Sequence, residues 1–365
     1  MKHSNVIIIG AGVSGLYAAS LLEKAGLSYQ LIEARERTGG RILSSAVYAG
    51  HSTDTHVDMG ATWFWPDIQP GLAQLIKELG IPAIAQARPG EMLFERHHDA
   101  APDRYPAYQT SPESYRLQGG MQALTTALVQ QLPPQKILLG QQVTHVTRRG
   151  DVIQVQSASA ENDRQIATCD HLFLALPPAL AAKITFSPAL PERLIANWRN
   201  TATWMAPQAK YVALYRTHFL QEQGLSGDAS SRIGPMVEIH DVSEPDSGIT
   251  AIFGFIGVPA VTRRTVSETV LKNLCRAQLV RLFGPAAEKP EAEMIKDWAA
   301  DPFTATEQDL LQENGYSVPE PVEAHGNWAG KMSGIASEWS PVFSGYLAGA
   351  IDAASAGVRK LLTSA

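Results

Sequence analysis

Three observations predict an α/β protein in which a nucleotide-binding domain carries an inserted α+β second domain. Residues 5–32 read as strand, glycine turn, helix and strand, the pattern of a βαβ unit with a parallel sheet. Gly10-x-Gly12-x-x-Gly15 falls at the junction of that first strand and helix. The 365-residue length, at roughly 150 residues per domain, predicts two domains.

Each element follows from local pattern. "NVIIIGAGVSGLYAASLLEKAG" is a buried strand, a tight turn and a helix ending at Gly26, and "SYQLIEA" is the second strand. "GLAQLIKELGI" has helical periodicity and a glycine stop. From Ala87 to Glu113 the chain turns rich in Pro, His and charge, which predicts an excursion from the main fold. "GGMQALTTALVQQL" resumes as helix, "KILLGQQVTHVTRRGDVIQVQSA" as short alternating strands, and "HLFLALPP" as a buried strand ended by two prolines. A second body follows: a helix near 190–200, strands "AKYVALYR" and "ITAIFGFIG", and the helix "SETVLKNLCRAQLVRLFG". The last 30 or so residues return to strand and helix, closing on a short amphipathic turn at "VRKLLTSA". The expected division is a nucleotide-binding domain of residues 1–75, 115–178 and 310–365, with a second domain of 76–114 and 179–309.

Composition excludes several function classes. A net charge of −6 lacks the basic excess of a nucleic-acid binder. Two cysteines, Cys169 and Cys275, are too few for a disulfide framework, and their usage suits a reduced cytoplasm. No apolar run approaches the roughly 18 residues of a membrane span, and the first strand begins too early for a signal peptide. A soluble cytoplasmic protein is expected. His97 and His98 have no partner ligands in their segment and read as surface loop.

The glycine motif is a dinucleotide signature. Gly10 allows the tight turn, Gly12 the approach of a pyrophosphate, and Gly15 close helix–strand packing, with the helix N-terminus favouring phosphate. Glu33, about 20 residues on at the end of the second strand, is placed to accept from ribose hydroxyls. A nicotinamide site leaves Arg35, Arg37, Gly39, Gly40 and Arg41 unexplained, except that an arginine could meet a 2′-phosphate. A flavin site uses them: adjacent glycines bring backbone close to the cofactor, and Arg41 can contact the pyrophosphate.

"GAGVSG" followed by "LIEARERTGGR" resembles the N-terminal signature of the flavin amine oxidase family, which includes monoamine and polyamine oxidases. "VDMGATWFWP", "RLQGGMQAL", "FLALPP", "APQAKYVALY", "KDW" and "ASEWSPVFSGYLAGAIDAA" resemble further family segments in the family's order. The resemblance spans nearly the whole chain. It implies a Rossmann-like FAD-binding domain with an inserted α+β substrate domain. Glu33, flanked by Ala34 and Arg35, would bind the adenosine ribose; Gly39, Gly40 and Arg41 would lie along the pyrophosphate and flavin. Gly60, Ala61 and Thr62 would pass the isoalloxazine, Val143 would meet adenine through its backbone, and Glu338 the ribityl or pyrophosphate region. A helix starting near Tyr346 and Leu347 would aim backbone donors at the flavin pyrimidine oxygen.

The same resemblance gives Lys210 a role at flavin N5 through a water and places Tyr346 facing the flavin; the chemistry of an amine site makes the aromatic Trp63, Trp65, Trp298 and Tyr346 the candidate substrate walls. Burial among such walls keeps an amine neutral. Phe64 reads as ordinary core. Three departures stand out. "TATEQD" replaces the cysteine and tyrosine of covalently flavinylated members, so FAD is expected to be non-covalent and one substrate-flanking aromatic is missing. The usual GTE is Ala336-Ser337-Glu338, and the chain is short for the family.

The expected function is FAD-dependent oxidation of a primary or secondary amine, with O2 as acceptor and hydrogen peroxide as product. The alternatives are a flavin desaturase or dehydrogenase on a non-amine substrate with another acceptor, an NADPH-dependent reductase resting on Arg35, and a flavin-binding protein without turnover. The amine, the acceptor and the oligomeric state are open at this level.

Overall fold

The computed structural model describes residues 2–47, 55–107, 110–245, 247–311, 318–322 and 326–364. Its first sheet is built on β1 (Lys2–Ile9), which runs parallel to β2 (Tyr29–Ile32) on one side and to the strand Arg164–Leu174 on the other. Val6 and Ile8 enter one core while Ile7 and Ile9 enter another. Both faces of β1 are therefore covered, which is why it reads as an unbroken apolar run. The first of these cores holds α1 (Val13–Lys24) and the closing helix Leu347–Ser364. The expected short turn at the C-terminus is instead the end of that helix, 18 residues long. Its Ala348, Ile351, Ala354 and Val358 recur at helical spacing and pack on the sheet, so it is held by tertiary burial.

The second sheet has the order Ala292–Asp297, Ala209–Tyr215, Thr250–Ile256, Met236–Asp241, Leu225–Ser231, Glu91–Glu95, Asp103–Pro106. The polar excursion at 87–113 thus supplies the last two strands at one edge of this sheet, with Asp103–Pro106 outermost, and His97 and His98 are exposed between them. Charged side chains on an edge strand keep it from pairing further, which explains why this segment did not read as sheet.

The strand Ala209–Tyr215 decides where the two bodies meet. Tyr211, Ala213 and Tyr215 pack against the helix Glu268–Phe283. Val212 and Leu214 pack instead with Val57 and Met59, at the end of the hairpin of β3 (Ser44–Val47) and β4 (Thr55–Asp58). Period-two alternation puts Lys210 on this hairpin side.

The packing suggests other domain limits than those expected. The helix Pro70–Glu78, which the limit at residue 75 would cut, sends Leu72, Leu75 and Ile76 into the core beside α1. Beyond residue 178, the short strand Thr185–Ser187 joins the first sheet, and Leu190, Leu194 and Trp198 pack beneath it. We propose a division by core, which returns residues 76–78 and 179–199 to the nucleotide-binding body. Among the described residues, no helix is long and apolar enough to cross a membrane.

Candidate active site

A cavity of about 350 Å³ runs from the turn between β1 and α1 to the strand Ala209–Tyr215. At its first end the glycines divide by role. Gly10 has φ 105°, and a Cβ there would stand 2.5 Å from Ala175 O; a Cβ on Gly15 would stand 1.9 Å from Gly10 O. Those two are bare because protein backbone fills the space. A Cβ on Gly12 would meet no atom within 4 Å. Its bareness keeps the cavity open in front of the α1 N-terminus, as a phosphate cradle requires.

Glu33 is 4% exposed. One of its oxygens accepts from Ala11 N at 2.7 Å and the other from Arg35 N at 2.9 Å. Bound at both oxygens, the carboxylate is fixed in orientation and retains lone pairs for a ligand's hydroxyls. Gly39 and Gly40 take φ of 99° and 58° and lie against the first turn, with Gly39 N donating to Ala11 O at 2.8 Å.

The three arginines of "EARERTGGR" have different tasks. Arg37 donates to the carbonyls of Thr38, Gly40 and Ile42 and fastens its own loop. Arg35 faces the cavity and is held by Asp301 at 2.7 Å and Thr304 at 2.8 Å. Arg41 also faces the cavity, with Nη1 2.8 Å from Glu338 Oε1 and Nη2 3.0 Å from Ser337 Oγ. Glu338 is 1% exposed, and its Oε1 accepts no well-directed hydrogen bond despite the close guanidinium. Fully buried, it pairs with Arg41 and does not line the cavity. Ala34 and Gly15 do not line it either, and Val143 packs with Ile9 and Ile32 in the core beneath the sheet.

The second end is apolar and aromatic. Trp63, Trp65, Trp298 and Tyr346 all line it, beside Gly60, Ala61, Thr62 and Leu347. Phe64, between two lining tryptophans, turns the other way into the core. Trp298 is held by Nε1–H to Met59 O at 3.0 Å, and Trp63 by Nε1–H to Gln86 at 2.9 Å. Trp65 meets Tyr346 edge-on, with centroids 6.1 Å apart.

Trp204 was not expected here. It stacks on Tyr346 with centroids 6.2 Å apart and planes at 27°, and so adds a further ring to the cavity wall. Met205, next to it, also lines the cavity and takes φ 63°, a sparsely populated conformation for a side-chain-bearing residue. A tryptophan just before the strand at 209 was the one sequence signal available.

Lys210 is 2% exposed. Its Nζ donates to Asp58 O and Gly60 O at 2.9 Å each and to Thr62 Oγ1 at 2.7 Å, and lies 4.0 Å from the centre of the Phe253 ring. Burial lowers its pKa to about 7, with the Asp58 carboxylate acting in the opposite direction.

These residues fit an adenine dinucleotide: an acid with both oxygens anchored, open space before a helix N-terminus, and a guanidinium held at the cavity wall. The family model described as flavin containing amine oxidoreductase matches residues 91–354. The chain belongs to this family. The model for an NAD(P)-binding Rossmann-like domain matches residues 8–79. Amine oxidase [flavin-containing] B of Cavia porcellus is 21% identical, over 98% of this chain and 86% of that protein. A solved structure of wild-type putrescine oxidase with putrescine shares the fold, at a TM-score of 0.80, 20% identity and 99% of both chains. Cyclohexylamine oxidase from Brevibacterium oxydans shares it at a TM-score of 0.79 and 20% identity, over 98% of this chain and 99% of that one. This flavin amine oxidoreductase is thus an FAD-dependent enzyme of amine oxidation built on a Rossmann-like domain.

Proposed function

We propose that this protein is an oxidase of apolar primary or secondary monoamines, using non-covalently bound FAD and dioxygen. The observation that carries the reading is the composition of the cavity's second end. Aromatic rings and one buried lysine converge there, and the acid that lines the cavity, Glu33, belongs to the nucleotide end. Among the described residues no carboxylate lines that aromatic end to meet the second cation of a diamine, whose burial is then costly. An amine on a single apolar body fits.

Bound FAD supplies the hydride acceptor and passes the electrons to dioxygen, giving hydrogen peroxide. The chain's residues do the rest. The rings of Trp65, Trp204 and Tyr346 exclude water and favour the uncharged amine. The N-terminus of the helix Leu347–Ser364 presents backbone donors where negative charge grows. Lys210 holds a proton position beside the reacting atoms. The released imine is hydrolysed to an aldehyde or ketone. Both cysteines are buried, and neither lines the cavity, which supports attachment of FAD without a thioether.

The test is direct. The purified protein should show a flavin spectrum, and acid denaturation should leave the flavin in the supernatant. Anaerobic addition of cycloalkyl or arylalkyl monoamines should bleach it, with fast recolouring and peroxide in air. Slow recolouring would favour a dehydrogenase, and bleaching by no amine in a broad panel would sink the reading.

Trp204→Ala should raise KM for an apolar amine about 10- to 100-fold with a smaller change in kcat, since burial against one aromatic wall is worth roughly 1.5–3 kcal/mol. Steady-state kinetics on a cycloalkyl amine would show it. An unchanged KM would remove Trp204 from the substrate wall.

A further inference from the structure

Next to Asp58 and Thr62 lies a second cavity of about 10 Å³, the space of about one water. Thr62 lines both this and the main cavity. Arg116, on the wall of the small one, donates from its two Nη atoms to the carbonyls of Val242 and Ser243, at 2.8 and 3.1 Å. Among the described residues, its buried Nε–H has no partner. A water in the small cavity would give that donor an acceptor. The Asp58 carboxyl, on the same wall, accepts from Ser44 Oγ at 2.5 Å and Met121 N at 2.8 Å.

The bonds around Lys210 suit two charge states. As an ammonium, Nζ donates to Asp58 O, Gly60 O and Thr62 Oγ1, and the Thr62 hydroxyl can turn to Gly60 O, 3.2 Å away. As a neutral amine, it keeps two donors on the carbonyls and accepts the Thr62 O–H. Thr62 can therefore follow the lysine's charge without moving a heavy atom.

We propose that Thr62, one water in the small cavity and the Asp58 carboxyl form a proton-holding relay behind Lys210, with Asp58 the positioning residue that sets the lysine's charge. This rests on the amine-oxidase reading above. An amine arriving as ammonium gives one proton to neutral Lys210: a substrate N–H bond breaks, an Nζ–H bond forms, and the substrate is left neutral for hydride loss. Dioxygen, taking the hydride equivalent held by the cofactor together with this proton, becomes hydrogen peroxide. Lys210 is then neutral again.

The electrostatics agree. Burial pushes Asp58 up to about 6 and draws Lys210 down to about 7, so both titrate close to neutrality. Among the described residues, the other charged or titratable groups on the wall of the small cavity are Arg116, His56 and Glu244, and His240 meets the Phe253 ring over which Lys210 lies, with centroids 5.3 Å apart. Lys296, in register with Lys210 on the neighbouring strand, is paired with Asp301 at 3.0 Å. Because the neutral lysine is the proton acceptor, amine-driven reduction should speed up as pH rises through about 7.

The proposal is tested by carbon-13 NMR of the lysine Cε groups of the FAD-loaded protein across pH, with Lys210→Met assigning the resonance. Asp58→Asn removes the countercharge and should lower the Lys210 midpoint by about one pH unit. Thr62→Val should lower it too and flatten the pH profile of reduction, whereas Thr62→Ser should retain wild-type values for both. If Asp58→Asn does not fold, the threonine pair decides. A midpoint unmoved in Thr62→Val and in any folded Asp58→Asn overturns the relay. The titration needs no amine: a shifted midpoint without amine turnover would sink only the oxidase reading, and normal turnover with an unmoved midpoint only the relay.

Discussion

Replacing Lys210 by methionine should slow flavin reduction by amine, or its reoxidation by dioxygen, by about 10²-fold or more, with FAD still bound. Positioned proton transfer contributes roughly 10²–10⁴-fold in enzymes, and the Lys210 side chain is buried at the aromatic end of the cavity. Methionine keeps the length and apolar body of the side chain, so the strand Ala209–Tyr215 should keep its packing. The carbonyls of Asp58 and Gly60 lose a donor, at a cost of about 1–3 kcal/mol each if left unmet. Against that stands the removal of a buried amine that burial already disfavours in its charged form. The protein should therefore fold and hold cofactor. Stopped-flow measurement of each half-reaction, beside the ratio of flavin to protein absorbance, separates the outcomes. Normal rates in both half-reactions would remove Lys210 from the chemistry.

The second large effect is expected at the other end of the cavity. Glu33→Ala should weaken FAD by about 10²-fold, so that the protein purifies largely without it. Truncating one partner of a buried, hydrogen-bonded charged contact costs about 2–5 kcal/mol. Here the loss is compounded, because Ala11 N and Arg35 N both lose their acceptor. Glu33→Gln should be nearly as damaging. Both carboxylate oxygens accept from backbone N–H groups, so the glutamine amide must turn a donor toward a donor at one of them. Flavin content on purification and titration of the apoprotein with FAD would measure both variants. Full occupancy in Glu33→Ala would show that the acid does not hold the ribose.

Legibility in the sequence followed contiguity. Gly10, Gly12, Gly15 and Glu33 lie within 24 residues along the chain, and the turn and acid they form need only β1, α1 and β2. The double glycine at 39–40 was readable for the same reason: its positive φ serves a turn that contacts Gly12 and Ala11. Val143 was read by position in a family pattern. Its backbone segment does run beside Glu33, with Gln141 N donating to Glu33 O, but its side chain belongs to a core that no local pattern could locate.

The sequence by itself determined the βαβ unit, the cofactor class and the family, because glycine conformation, apolar runs and helix starts are local properties of the chain. Only the tertiary structure decided what surrounds the chemistry. Lys210 is bonded to residues 148 to 152 positions away, and its low pKa arises from burial that those distant segments provide. Trp204 faces Tyr346 across 142 residues, and Asp58 and Arg116 meet around a space for one water. Burial and facing are properties of packing, so Lys210 and Trp204 come to line the cavity only through segments far from them in the sequence.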